Sequence, residues 1–169
     1  KGEQDVWLTE YTSAWLKREY GITAPYTDTR HNENIGLFLS EVGELLNNAL
    51  LKDSYFNYAD FLVNQERAGN ILPTEDGYYI LDYYSPSQMK KTHVSLNHAL
   101  SEMNFLFDAY TLSNNEAYFE TALAIKAAVE NTGTEWINPA NGDFWYQING
   151  DYSFQDIDYE TLTLEDLLK

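Results

Sequence analysis

The strongest periodic signal in the chain lies between Ile35 and Leu50. Ile35, Phe38, Leu39, Val42, Leu45, Leu46, Ala49 and Leu50 recur at i, i+3, i+4, i+7 spacing, with Asn and Glu on the opposite side. The pattern predicts a helix whose apolar stripe faces the core. Asp53 or Ser54 is placed to cap a following helix through Tyr55, Ala59, Leu62 and Val63, with Gly69 as its stop. Residues 35–69 are therefore expected to form an antiparallel helical hairpin. Upstream, Trp7, Leu8, Tyr11, Trp15 and Leu16 also fall at helical spacing, and Gly21 and Pro25 close that segment.

Beyond Gly69 the period changes. Tyr78-Tyr79-Ile80-Leu81-Asp82-Tyr83-Tyr84 is aromatic and β-prone, preceded by Asp76-Gly77 and broken by Pro86, which predicts a short strand or extended loop. A helical stripe returns with Leu96, Ala99, Leu100, Met103, Leu106, Phe107 and Tyr110. Ser113-Asn114-Asn115-Glu116 has capping-box spacing and opens a further helix through Tyr118, Ala122, Ile125 and Val129 to Gly133. Residues 96–133 thus predict a second hairpin. Asn149-Gly150-Asp151 between Phe144-Trp145-Tyr146-Gln147-Ile148 and Tyr152-Ser153-Phe154 predicts a β-hairpin, and Leu164, Leu167 and Leu168 a final helix from Thr163.

The expected fold class is mainly α: antiparallel helical hairpins of an incomplete (α/α) toroid with a small β-hairpin, as a single domain over residues 1–169. A closed ring of six hairpins needs about twice this length at ~45 residues per helical pair. The chain stops inside an apparent helix, so a fragment of a longer protein is expected.

Composition narrows the function classes. At 169 residues, 44% hydrophobic and 15% aromatic, the chain can bury a core without disulfides or a metal, and it has no Cys. Ten basic against 27 acidic residues give a net charge of −17, which repels phosphate backbones and anionic lipid. Nucleic acid and membranes are therefore not expected partners, and no apolar run approaches the ~20 residues that span a bilayer. Lys1-Gly2-Glu3-Gln4-Asp5 lacks the apolar segment of a signal peptide. The acidic, Cys-free, Tyr- and Asn-rich composition suits an exported carbohydrate-handling protein, so an extracellular or cell-surface location is expected, with a cytoplasmic one left open.

Few motifs for chemistry are present. His31, His93 and His98 lack the i, i+4 pairing of a zinc helix, and no metal or cofactor is expected. Asp156-Ile157-Asp158-Tyr159-Glu160 alternates acids without EF-hand spacing and reads as a solvated edge. There is no Gly-x-Ser-x-Gly elbow and no Gly-rich phosphate loop. Asp82, Tyr83, Tyr84, Trp136, Trp145, Tyr146 and Tyr159 do gather outside the helical stripes, where sugars can stack on the rings and hydrogen-bond to the acid. The alternative is that these rings pack the irregular segments onto the helices.

In sequence order, Tyr79-Ile80-Leu81-Asp82-Tyr83-Tyr84-Ser85-Pro86-Ser87, Val94-Ser95-Leu96-Asn97-His98-Ala99, Leu106-Phe107-Asp108-Ala109-Tyr110, Asp143-Phe144-Trp145-Tyr146 and Tyr159 resemble the C-terminal domain of D-glucuronyl C5-epimerases, over about half the chain. The resemblance implies an incomplete (α/α) toroid that inverts C5 of a uronate within a polysaccharide or oligosaccharide. Removing a proton α to a carboxylate needs that carboxylate neutralised, a base on one face and an acid on the other.

Carried over by position, Tyr84, Asp82 and Tyr159 are the implied catalytic groups. Tyr83, Asn97, His98, Arg30, Trp145 and Tyr146 are the implied substrate contacts. Tyr83 stands where the family has Glu, which leaves Asp82 as the nearest carboxylate, and His98 stands where it has Gly. Two other readings remain: a non-catalytic glycan-binding or structural domain, or part of a six-hairpin glycosidase or lyase. An open helical face would also allow self-association.

Overall fold

The computed structural model describes residues 5–159 and 161–169. The first four residues and Glu160, the last acid of the alternating run, lie outside the described residues. The helices are α1 (Ala14–Tyr20), α2 (Thr29–Leu45), α3 (Ala49–Ala68), α4 (Leu96–Ser113), α5 (Glu116–Thr132) and α6 (Leu162–Leu167). The strands are β1 (Thr27–Asp28), β2 (Ile71–Pro73), β3 (Tyr78–Ile80), β4 (Tyr83–Tyr84), β5 (Val94–Ser95), β6 (Trp145–Ile148) and β7 (Phe154–Ile157). They pair antiparallel as β1–β4, β2–β3 and β5–β6–β7. The protein is mainly helical with small antiparallel sheets.

Both expected helical hairpins are present. In α3, α4 and α5 the apolar stripes face inward, and Tyr58, Leu62, Ala99, Leu106, Ala122 and Ile125 lie in one buried core. Gly69 ends α3 at φ +70°, the left-handed region that favours glycine. The starts differ from expectation. Asn48, not Asp53 or Ser54, caps α3 by accepting from Leu51 N at 3.3 Å. Asn115 caps α5, while Ser113 belongs to α4 and turns its hydroxyl back to Ala109 O at 2.7 Å. At α1, Ser13 caps the helix late, so Trp7, Leu8 and Tyr11 precede it and Thr9 forms a β-bridge with Tyr26 instead.

The larger departure is α2. Its buried residues are Thr29, Asn32, Glu33, Gly36 and Gly43, themselves at near-helical spacing. The apolar stripe points outward: Phe38 is 61% exposed, Leu45 86% and Leu46 67%, while Val42 is half-buried. The cause is the neighbouring surface. Asn32 must meet the carbonyls of Trp7 and Asp28, both at 2.9 Å, and Glu33 must meet Arg30. At Gly43 the α3 backbone comes so close that a Cβ would lie 2.6 Å from Lys52 N. The short α6 shows the same inversion, with Thr163 and Asp166 buried and Leu164, Leu167 and Leu168 outward.

The turn between β2 and β3 packs on α5. A Cβ on Gly77 would lie 2.1 Å from Ala124 O and 3.0 Å from Ala128 N, so only glycine fits this approach. The Asn149-Gly150-Asp151 hairpin is present, its loop closed by Asn149 N donating to Ser153 O at 2.8 Å. Val94 and Ser95 add a third strand beside β6 and carry this sheet to the start of α4.

Candidate functional site

Asp82 lies between β3 and β4, and its backbone ties the two ends of the fold together. Its carbonyl accepts from Thr29 N at 3.0 Å, and its N–H donates to His93 O at 3.1 Å. The side chain is fully buried. One carboxylate oxygen accepts from Ser95 N at 3.0 Å and the other from the Ser95 hydroxyl. Ser95 holds the N-cap position of α4 and makes no cap bond with its side chain, while both of its donors go to Asp82.

Two imidazoles complete the carboxylate's surroundings. His93 Nε2 stands 3.2 Å from Asp82 Oδ2, an ion-pair distance not aligned as a hydrogen bond, and His98 Nδ1 stands 3.5 Å from the same oxygen. Burial pushes the Asp82 carboxyl up, but His98, His93 and the Ser95 hydroxyl together outweigh it and hold it below its ordinary value. The Tyr20 hydroxyl lies 3.0 Å from His93 Nδ1, and the Thr29 hydroxyl 2.9 Å from His98 Nδ1. The Tyr20 hydroxyl donates to His93 Nδ1 in the tautomer that carries the ring proton on Nε2, beside the carboxylate. Among the described residues no cluster of His, Asp or Glu side chains is arranged to hold a metal ion.

Aromatic rings enclose His93. Trp15 stands edge-on at 5.4 Å between centroids, and Tyr20, Tyr83 and Tyr146 lie at 5.8, 5.8 and 6.1 Å. Burial first, and the Asp82 charge second, push the Tyr20 phenol up to about 12 and the Tyr83 and Tyr146 phenols well above their usual range. Phenols held this high stay protonated at neutral pH. They can donate hydrogen bonds, but the raised values make them weaker proton donors, and while protonated they do not act as bases.

Glu102, one helical turn beyond His98 on α4, is fully buried, and neither of its oxygens has a hydrogen-bond partner. Burial pushes its carboxyl well above the ordinary value, and Asp82 and Glu33 add to this; Thr29 and Arg30 oppose it more weakly. The sign of the pH effect follows. Above the unfolded carboxyl's range the unfolded chain gives up this proton while the native state keeps it, so Glu102 costs stability as pH rises toward its folded value. Glu102→Gln is therefore expected to be more stable than wild type at neutral pH, with the difference shrinking as pH falls toward 4.5. Urea denaturation of both proteins across that range checks this, and a variant less stable at pH 7 would contradict it.

The expected site residues divide. Asp82 and His98 lie against each other, Tyr83 and Tyr146 lie beside His93, and Tyr159, largely exposed, meets Tyr146 edge-on at 5.4 Å. Tyr84 pairs with Thr27 and, as the neighbour of Tyr83 on β4, projects to the opposite face of the strand. It is half-buried, and its side chain makes no hydrogen bond or ring contact among the described residues. Asn97 is buried, its Oδ1 unpartnered. Trp145 is half-buried opposite Ile157. Arg30 is taken up by Glu33 Oε2 at 2.9 Å and Asp166 Oδ2 at 3.1 Å, so a ligand carboxylate would have to displace them. Trp136 is buried and donates its Nε1–H to the Tyr79 hydroxyl at 3.0 Å, a packing role.

Sequence reasoning missed Tyr20, Thr29, Ser95 and Glu102 in the surroundings of Asp82 and its histidines, and gave His93 no role. The available signal was the Thr92–Asn97 neighbourhood, where His93 and His98 bracket a serine at a helix start.

No protein-family model and no curated protein matches the sequence. The fold does match solved structures. One of them, described as the crystal structure of a sugar epimerase from a ruminal bacterium, superposes with a TM-score of 0.60 at 12% identity, over 92% of this chain and 37% of that one. The chain thus spans little more than a third of that protein's length. The likeness is one of fold.

Proposed function

We propose that the chain is a carbohydrate-active domain, an arc of an incomplete (α/α) toroid. It works on a uronate-containing polysaccharide by moving the proton at C5. The observation that carries this reading is the pair of imidazoles, His93 and His98, fixed on one buried carboxylate within a shell of tyrosines. Epimerisation needs two proton-transfer groups in fixed positions, and a carboxylate that orients two histidines, with the Tyr20 phenol on His93 and the Thr29 hydroxyl on His98, supplies that order. In this scheme Tyr84 and Tyr159 contact the sugar, and Asp82, with no exposed atom, is a positioning residue. The sugar epimerase fold of the structural neighbour supports the reading.

The test is solvent-isotope exchange at C5 on a panel of uronate-containing polysaccharides. Tyr84→Phe removes one hydroxyl with no internal partner, so it should cut exchange by ~10²–10⁴-fold, the usual cost of a lost acid or base, with the melting temperature unchanged. Exchange at the wild-type rate in this variant would take Tyr84 out of the mechanism. A second reading, a non-catalytic glycan-binding domain, is favoured by the burial of Asp82, His93 and His98. It predicts binding of the same polysaccharides with no exchange at all.

A further inference from the structure

Between α1 and the β6–β7 hairpin lies a cleft of about 730 Å³, within the ~300–1,000 Å³ typical of small-molecule sites. Trp15 and Tyr20 line it with aromatic surface, and Gln147, Asn149, Ser153 and Gln155 with amides and a hydroxyl. Trp15 keeps 36% of its surface exposed, which leaves ring surface for a ligand. In a chain of net charge −17 the cleft is locally balanced, Arg18, Lys90 and Lys91 facing Glu19, Asp151 and Asp156.

The cations there are already engaged. Arg18 Nε pairs with Glu19 at 2.7 Å, Lys90 Nζ sits 5.1 Å from the Tyr20 ring centre, and Lys91 Nζ donates to Ile71 O at 2.7 Å. An anionic ligand would meet Glu19, Asp151 and Asp156 in the same cleft and compete with Glu19 for Arg18, whereas a neutral one would not. Gln147 stands within the cleft wall, buried at 3% relative exposure. Its Nε2 donates to Asn149 Oδ1 at 2.8 Å, but its Oε1 has no donor. That oxygen has no open surface and stays behind the wall, so the polar groups a ligand can reach there are the exposed Ser153 and Gln155.

We infer that this cleft binds a neutral saccharide, with a pyranose ring stacked on Trp15 and its hydroxyls hydrogen-bonded to the exposed Ser153 and Gln155 of the hairpin. The inference rests on the carbohydrate reading above but not on its chemistry at C5. The test is calorimetric titration of the whole chain with three neutral trisaccharides, cellotriose, maltotriose and the N-acetylglucosamine trimer, and with the galacturonate trimer for comparison. At least one neutral trisaccharide is expected to bind with a millimolar or tighter Kd, at least tenfold tighter than galacturonate. Trp15→Ala should weaken it at least tenfold, with Trp15→Phe restoring most of the affinity. Gln155→Ala, at an exposed position of the hairpin, should weaken it while the protein stays folded.

Preference for the galacturonate trimer, no neutral binding at tens of millimolar, or undiminished binding by Trp15→Ala would each overturn the inference. Neutral binding without any C5 exchange supports this site and removes only the epimerase reading.

Discussion

Asp82→Ala is expected to lose about 3–5 kcal/mol of folding stability, the range seen when one partner of a buried charged pair is removed. Native domains hold only ~5–15 kcal/mol in reserve, so the variant should be at the edge of unfolding. The cost has identifiable parts. Ser95 N and Oγ lose their acceptor, His93 and His98 lose the charge that orients them, and the start of α4 loses its tie to the β3–β4 connection. The backbone bonds of residue 82 to Thr29 and His93 would survive, so the damage would come from the side chain alone.

Asp82→Asn keeps an acceptor for Ser95 N while removing the charge, and should fall between wild type and alanine. The wild-type carboxyl is held below its ordinary value, so its contribution is complete above the unfolded carboxyl's pKa of 3.8 and disappears as pH falls through the lower folded value. Urea denaturation followed by circular dichroism measures all three proteins. An alanine variant within about 1 kcal/mol of wild type, well under the range for a broken buried pair, would mean that Asp82 does not organise the site.

Where apolar packing decides the fold, the sequence was readable. Leu62, Ala99, Leu106 and Ile125 repeat at helical spacing and are buried, and Gly69 and the Asn149-Gly150 turn stand where the chain reverses. Where polar groups decide it, the same reasoning inverted the answer. The α2 leucines form a cleaner stripe than any in α3, yet Thr29, Asn32 and Glu33 are the residues with partners waiting in the interior.

Periodicity shows that a helix has two faces, but it does not say which face has partners inside. Asp166 on α6 repeats the lesson, since its ties to Arg30 and Lys169 and the bond its carbonyl accepts from Asn104 fix the helix, leaving three leucines outside. The site was half legible for a related reason. Asp82, Tyr83 and His98 stood out as residues, but Tyr20 meets His93 across 73 positions of sequence, and no local pattern carries that pairing.

Trp136→Ala should also be severe, and it decides between two uses of an aromatic residue. Trp136 is buried against Tyr79 and Phe154, with ring centres at 6.0 and 5.1 Å. Its Nε1–H donates to the Tyr79 hydroxyl, which in turn reaches Ala128 O at 2.9 Å and Thr132 Oγ1 at 2.8 Å. The indole therefore joins the end of α5, strand β3 and the β6–β7 hairpin through one set of contacts.

Truncating a buried tryptophan costs about 3–5 kcal/mol. At ~2–4 °C per kcal/mol for a chain of this size, that is a fall in melting temperature of roughly 6–20 °C. A ring used as a platform for sugars would behave in the opposite way, losing glycan affinity while the melting temperature held. Trp15, with part of its surface open to the cleft, is expected to show that second pattern. Thermal melts and glycan titrations on Trp136→Ala and Trp15→Ala, run side by side, read both quantities for both residues. If Trp136→Ala melted with wild type and lost binding instead, the glycan surface would lie at the α5 end of the molecule and not at the cleft beside α1.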